Sequence, residues 1–137
     1  DRKKRSEIMS HIQGKDTKPE KLVRSLLHRM GYRFRLHVDS LPGKPDIVLQ
    51  RHKKVIFVNG CFWHGHKSCK RASCPQSNAE FWNQKIKSNI ARDRKTRKDL
   101  QLQGWAVLVI WQCQTKNLTA LQNRLAEFMN NGKEQHE

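Results

Sequence analysis

Asp46-Ile47-Val48-Leu49-Gln50-Arg51-His52-Lys53-Lys54-Val55-Ile56-Phe57-Val58 is the stretch whose reading decides how this chain folds. Two apolar runs rich in β-branched residues flank a short basic segment, Gln50 to Lys54, so the pattern predicts strand, turn and strand: a hairpin. Just upstream, Asp39-Ser40-Leu41-Pro42-Gly43-Lys44-Pro45 is turn-rich, and Pro45 sets Asp46 at the head of the first strand. Just downstream, Asn59-Gly60-Cys61-Phe62-Trp63-His64-Gly65-His66-Lys67-Ser68-Cys69 packs thiols, imidazoles and large aromatics into one loop, which ends near Cys74-Pro75.

Toward the N-terminus, Tyr32, Phe34 and Leu36 alternate with Arg33 and Arg35, as in a half-buried strand with one basic face. Before it, Thr17-Lys18-Pro19-Glu20 reads as a helix start: a capping Thr, Pro in the first turn, Glu three residues after the cap. Leu22, Val23, Leu26, Leu27 and Met30 follow at helical spacing until Gly31. Residues 1–16 open on Asp1-Arg2-Lys3-Lys4-Arg5, and Ile8, Met9 and Ile12 support at most a short helix. They read as a basic arm or as a frayed end.

Toward the C-terminus, Ser77-Asn78-Ala79-Glu80 offers a capping box for a long helix from Ala79 to about Gln103. Its apolar stripe is Trp82, Ile86 and Ile90, while Lys85, Lys87, Arg92, Arg94, Lys95, Arg97 and Lys98 cover most of the rest, and Gly104 stops it. Trp105 to Trp111 is a near-continuous apolar run, which suits a strand buried on both faces, and Cys113 lies just past its end. Asn117 caps a last helix with Leu118, Leu121, Leu125, Phe128 and Met129 inward. The order of elements predicts an α/β fold with a mixed sheet and helices on its faces. A single domain over 17–130 would stand between the arm and a loose polar tail at 131–137.

Lys and Arg number 28 against 12 acids, a net charge of +16. A surplus of that size points to a polyanion, because counterions released from phosphates drive much nucleic-acid binding. A ribosomal or merely supercharged surface is the alternative. No run of about 18 apolar residues is present to span a membrane, and the first residues lack the apolar core of a signal peptide. Four cysteines with interleaved histidines then read as thiolate ligands in a reducing cytoplasm rather than as disulfides.

Cys61, His66 and Cys69 lie within nine residues, and Cys113, past a buried strand, could close a tetrahedral zinc site, with Cys74 competing for a place in it. Four protein ligands leave no open position, so such a zinc is structural. Asp46 offers the hard oxygen that magnesium needs for phosphodiester cleavage, and Glu20 could reach the same ion or could simply complete the capping box. His64 and His66 sit two apart, so in an extended loop one can bind zinc while the other acts as general base or acid. Asp93 could orient that base, or pair with Arg97 one turn away. Phe62, Trp63 and Trp82 could enter between base steps, and Trp82 fits core packing equally well.

Together these motifs resemble the very-short-patch repair (Vsr) endonucleases. The matching stretches are Leu41 to Asp46, Gly60 to His64, Asn78 to Trp82, Asn89 to Arg94, and Gly104-Trp105 through Trp111-Gln112-Cys113. The likeness begins at Arg5-Ser6-Glu7-Ile8-Met9 and reaches the last helix. It implies a restriction-endonuclease-like fold, a structural zinc, and magnesium-dependent nicking on the 5′ side of the mispaired thymine in a T:G mismatch left by deamination of 5-methylcytosine. By the same resemblance Asp46 and the Val58 carbonyl meet the magnesium, and His64 is the catalytic histidine with Asp93 behind it and Glu20 assisting. Cys61, His66, Cys69 and Cys113 hold the zinc; Phe62, Trp63 and Trp82 form a wedge beside the mismatch, and Met9 intrudes from the other groove. The family often carries a second histidine where this chain has Asn59, and the lysine of the usual nuclease motif is absent after Val58, its place falling to His64. The expectation is a monomeric enzyme of bacterial type, cytoplasmic and nucleoid-associated, acting on mismatched duplex DNA, with helper repair proteins left open. A restriction-type nuclease for fully paired DNA and a non-catalytic zinc-stabilised DNA-binding module are its rivals.

Overall fold

A computed structural model describes residues 17–61 and 79–131. Thr17 caps the first helix, α1 (Lys18–Arg29), its hydroxyl accepting the Glu20 N–H at 3.4 Å, and Gly31 just past the end takes φ 89°, where glycine has no Cβ penalty. The hairpin follows: β2 (Ile47–Leu49), a 3-10 turn (Gln50–His52) closed by Lys53 at φ 57°, and β3 (Lys54–Asn59). A long helix, α2 (Ala79–Leu102), carries the chain to β4 (Ala106–Trp111), and α3 (Leu118–Asn131) ends the described chain. Asn117 caps α3 as the sequence predicts, its Oδ1 accepting the Ala120 N–H at 3.1 Å.

The four strands form one mixed sheet in the order β1-β2-β3-β4, with β1 (Arg35–Leu36) antiparallel to β2, β2 antiparallel to β3, and β3 parallel to β4. A parallel β3–β4 pair requires a crossover, and α2 belongs to it. Side-chain alternation splits the core in two. Ile47, Leu49, Ile56 and Ile110 face Val23, Leu26 and Leu27 of α1 and Leu121, Leu125 and Met129 of α3. Val48 and Val55, on the other face, meet Leu100 of α2 and Trp105.

Three expectations shift. The first strand pairs over two residues only, Arg35 with Val48 and Leu36 with Ile47, although Tyr32 and Phe34 still pack on the core as their alternation requires. Among the described residues β4 is an edge strand, and only Ile110 of Ala106–Trp111 is fully buried, so the expectation of burial on both faces fails along the rest. Leu118, expected inward, is exposed, because the buried stripe of α3 begins one turn later at Leu121. Among the described residues no helix is long and apolar enough to cross a membrane.

Candidate active site

Asp46 stands at the head of β2, and the turn before it is held from both ends. Lys44 N–H donates to the Leu41 carbonyl at 3.1 Å, and Gly43 and Lys44 take φ 72° and 48°. A Cβ at Gly43 would overlap the Thr96 methyl on α2, so the turn rests directly on that helix. Gly43→Ala should therefore destabilise the chain by more than the ~1–2 kcal/mol of a left-handed L-residue alone, and should lower nicking because Asp46 moves with the turn. Thermal melts check it: adding Thr96→Ala should recover the steric part, and equal melting of the single and double variants would exclude the clash.

Three ligand-bearing side chains converge here. One potential ligand atom from each of Glu20, His37 and Asp46 lies within 4.8 Å of the others. Glu20 comes from the first turn of α1 and is buried, 3% exposed. Its Oε2 accepts from Arg24 Nη2 at 2.7 Å and lies 3.3 Å from His37 Nε2. The carboxylate of the capping-box residue thus meets Arg24 one turn along its own helix and His37 from outside it. His37 follows β1, its N–H donating to the Asp46 carbonyl at 3.2 Å and its Nδ1 lying 3.7 Å from Asp46 Oδ1. Asp46 Oδ2 accepts the Val58 N–H at 2.7 Å.

Burial, partly offset by the Val58 N–H and increased by the neighbouring Glu20, pushes the Asp46 carboxyl up to about 7 from 3.8. Asp46, buried beside a second acid, is costly to ionise, and a divalent cation is the natural neutraliser. Carboxylate oxygens suit a hard divalent cation, and the imidazole adds a nitrogen donor that softer divalent ions take more readily.

The other expected site residues divide. Val58 reaches Asp46 through its N–H. Asp93 lies half-buried on α2, and Trp82 is half-buried with its ring 5.2 Å from that of Phe81. Cys61 and Cys113 each stand two residues past the last β3–β4 pair, Asn59 with Trp111, at the same end of the sheet. Met9, Phe62, Trp63, His64, His66, Cys69 and Cys74 lie outside the described residues. His37 and Arg24 are additions that sequence reasoning missed. The one signal for His37 was its place directly after an alternating strand and before the turn that carries Asp46.

The family described as DNA mismatch endonuclease Vsr matches residues 1–71, which include all three converging residues. The chain belongs to the Vsr family. The "DNA mismatch endonuclease Vsr" of Escherichia coli (strain K12) is 42% identical over 134 residues, covering 94% of this chain and 85% of that protein. "Type II nicking enzyme V.XorIIP" of Xanthomonas oryzae pv. oryzae is 48% identical over 126 residues, covering 92% of each. The catalytic domain of homing endonuclease I-Bth0305I superposes with a TM-score of 0.59 at 20% identity, over 85% of this chain and 98% of that domain. That likeness fits a restriction-endonuclease-like fold, with Asp46 at the head of β2 and Glu20 on α1 in this chain.

Proposed function

We propose that this Vsr-family endonuclease nicks one DNA strand on the 5′ side of the mispaired thymine in a T:G mismatch, with magnesium bound at Asp46. The observation that carries the reading is the convergence of Asp46, Glu20 and His37 on one small volume beside the β2–β3 hairpin. Bound there, magnesium would neutralise charge building on the scissile phosphate. Asp46, held by the Val58 N–H, would anchor it, with the Val58 carbonyl a further ligand and Glu20 assisting. His64, oriented by Asp93, would move the proton of the attacking water.

DNA would be gripped by the basic face of α2, where Lys85, Lys87, Arg92, Arg94, Lys95, Arg97 and Lys98 are all exposed. Phe62, Trp63 and Trp82 would open the mismatched step, with Met9 opposite, since a mispaired step costs less to unstack than a matched one. Zinc at Cys61, His66, Cys69 and Cys113, with Cys74 as the alternative to Cys69, would pin that loop. The placement of Cys61 and Cys113 past the same ends of two adjacent strands supports it.

A duplex pair of one sequence, with T:G or C:G at one position, tests the proposal. The expected result is a single nick beside the mispaired thymine, far faster than any cutting of the paired duplex and dependent on magnesium. Equal cutting of both duplexes would instead make the chain a restriction-type nuclease.

A further inference from the structure

We propose that His37 is a nitrogen ligand of the divalent ion held at Asp46, and that Glu20 stands behind it as the carboxylate that fixes its tautomer. The inference rests on reading Asp46 as an ion site and adds a residue to it.

Backbone geometry is the first support. His37 takes φ 49°, a left-handed conformation that L-residues adopt at a cost, and it does so one residue past the short β1–β2 pairing. Its N–H bonds the Asp46 carbonyl at 3.2 Å, so the strained residue and the acid are tied together through the main chain. The strain turns the imidazole, 12% exposed, between two carboxylates.

The two ring nitrogens then meet those carboxylates differently. Nε2 lies 3.3 Å from Glu20 Oε2, within hydrogen-bond range, whereas Nδ1 lies 3.7 Å from Asp46 Oδ1, too far for a hydrogen bond. Adjacent ligands of an octahedral ion at about 2.1 Å lie about 3 Å apart, so Nδ1 and Oδ1 would draw together on binding it. An imidazole ligand typically donates its other N–H to a carboxylate, the role Glu20 fills. Arg24 Nη2, 2.7 Å from the same Oε2, secures that carboxylate from behind. The competing arrangement has Arg24 donate to Nε2, which it approaches to 3.2 Å, leaving an Nδ1–H toward Asp46 and His37 no ligand at all. A ring nitrogen among oxygens favours manganese over magnesium more than an all-oxygen site would.

Pulsed electron paramagnetic resonance of the whole chain loaded with Mn2+ separates the two arrangements, with calorimetric titration of Mn2+ and Mg2+ alongside. Native protein should show modulation from a directly bound nitrogen. His37→Asn, whose side chain tolerates a left-handed backbone, should still bind Mn2+ but lose that modulation, and its Mn2+ over Mg2+ preference should fall by about tenfold. His37→Gly, free of the backbone strain, should behave the same way. Nitrogen modulation that persists in both variants, or is absent from native protein with Mn2+ bound, would overturn the role of His37 alone. Mn2+ binding unchanged in Asp46→Ala would instead remove the ion site, and the inference with it.

Discussion

Asp46→Asn is expected to abolish magnesium-dependent nicking, by about 1000-fold or more, while making the metal-free protein more stable above pH 7. Both effects come from one carboxylate. In the folded chain the Asp46 carboxyl keeps its proton to about pH 7, against 3.8 for an unperturbed group. The folded state therefore binds more protons than the unfolded state between those values, and stability falls as pH rises through that window. Above pH 7 the buried carboxylate is ionised and the whole cost is present, on the order of 4 kcal/mol for a shift of this size. Asn removes that ionisation and can still accept the Val58 N–H.

Calorimetric melts from pH 4 to 8 should accordingly show native protein losing stability relative to Asp46→Asn as pH rises, with the gap closing near pH 4. Magnesium at pH 8 should raise the melting temperature of native protein and leave the variant unmoved, because only the ion-binding folded state gains. Curves that stay parallel across pH would show that Asp46 is not held protonated. The outcome expected is that of a group kept for its chemistry against stability.

The second large effect lies at the far end of the hairpin. Lys54→Met should cost about 3 kcal/mol and lower the melting temperature by roughly 10 °C. Lys54 is 1% exposed, yet its ammonium donates to the carbonyl of Phe128 at 2.9 Å and to that of Met129, 5.3 Å from the Phe128 ring centre. Both carbonyls lie near the C-terminal end of α3 as described, where the helix dipole presents its negative end. Met fills similar space and donates nothing, leaving two buried acceptors without the donor they have now. A melting temperature within a degree of native would show that water replaces the ammonium there. Nicking by whatever fraction stays folded should be close to native, since Lys54 lies at the opposite end of β3 from Val58.

Elements whose cause is local were legible in the residues. Thr17 and Asn117 cap helices, Gly31 and Gly104 end them, and two β-branched runs around a basic turn make the hairpin. Each is written in a few adjacent residues whose own φ, ψ and hydrogen bonds suffice. The Vsr resemblance was legible in the same way, as short motifs in order, and it gave family roles to Asp46 and Glu20, which the residues had already raised as candidate ion ligands. Burial of β4 was misjudged because an apolar run states only that cover is wanted. How many faces are covered depends on which strands and helices arrive from elsewhere.

What only the tertiary structure decided is the company Asp46 keeps. Glu20 lies 26 positions before it in the chain and pairs locally with Arg24 one turn along, yet its carboxylate also lies against His37 from beyond the helix. His37 carries no periodicity or spacing of its own, and its value comes from a left-handed backbone beside a strand pair that the sheet alone brings together. The shift at Asp46 has the same origin, since burial and the approach of a second acid arise only when α1 closes over the sheet. Local sequence sets the backbone preferences of each segment. The proton affinity of a group and the donors around an ion are sums over neighbours that folding supplies.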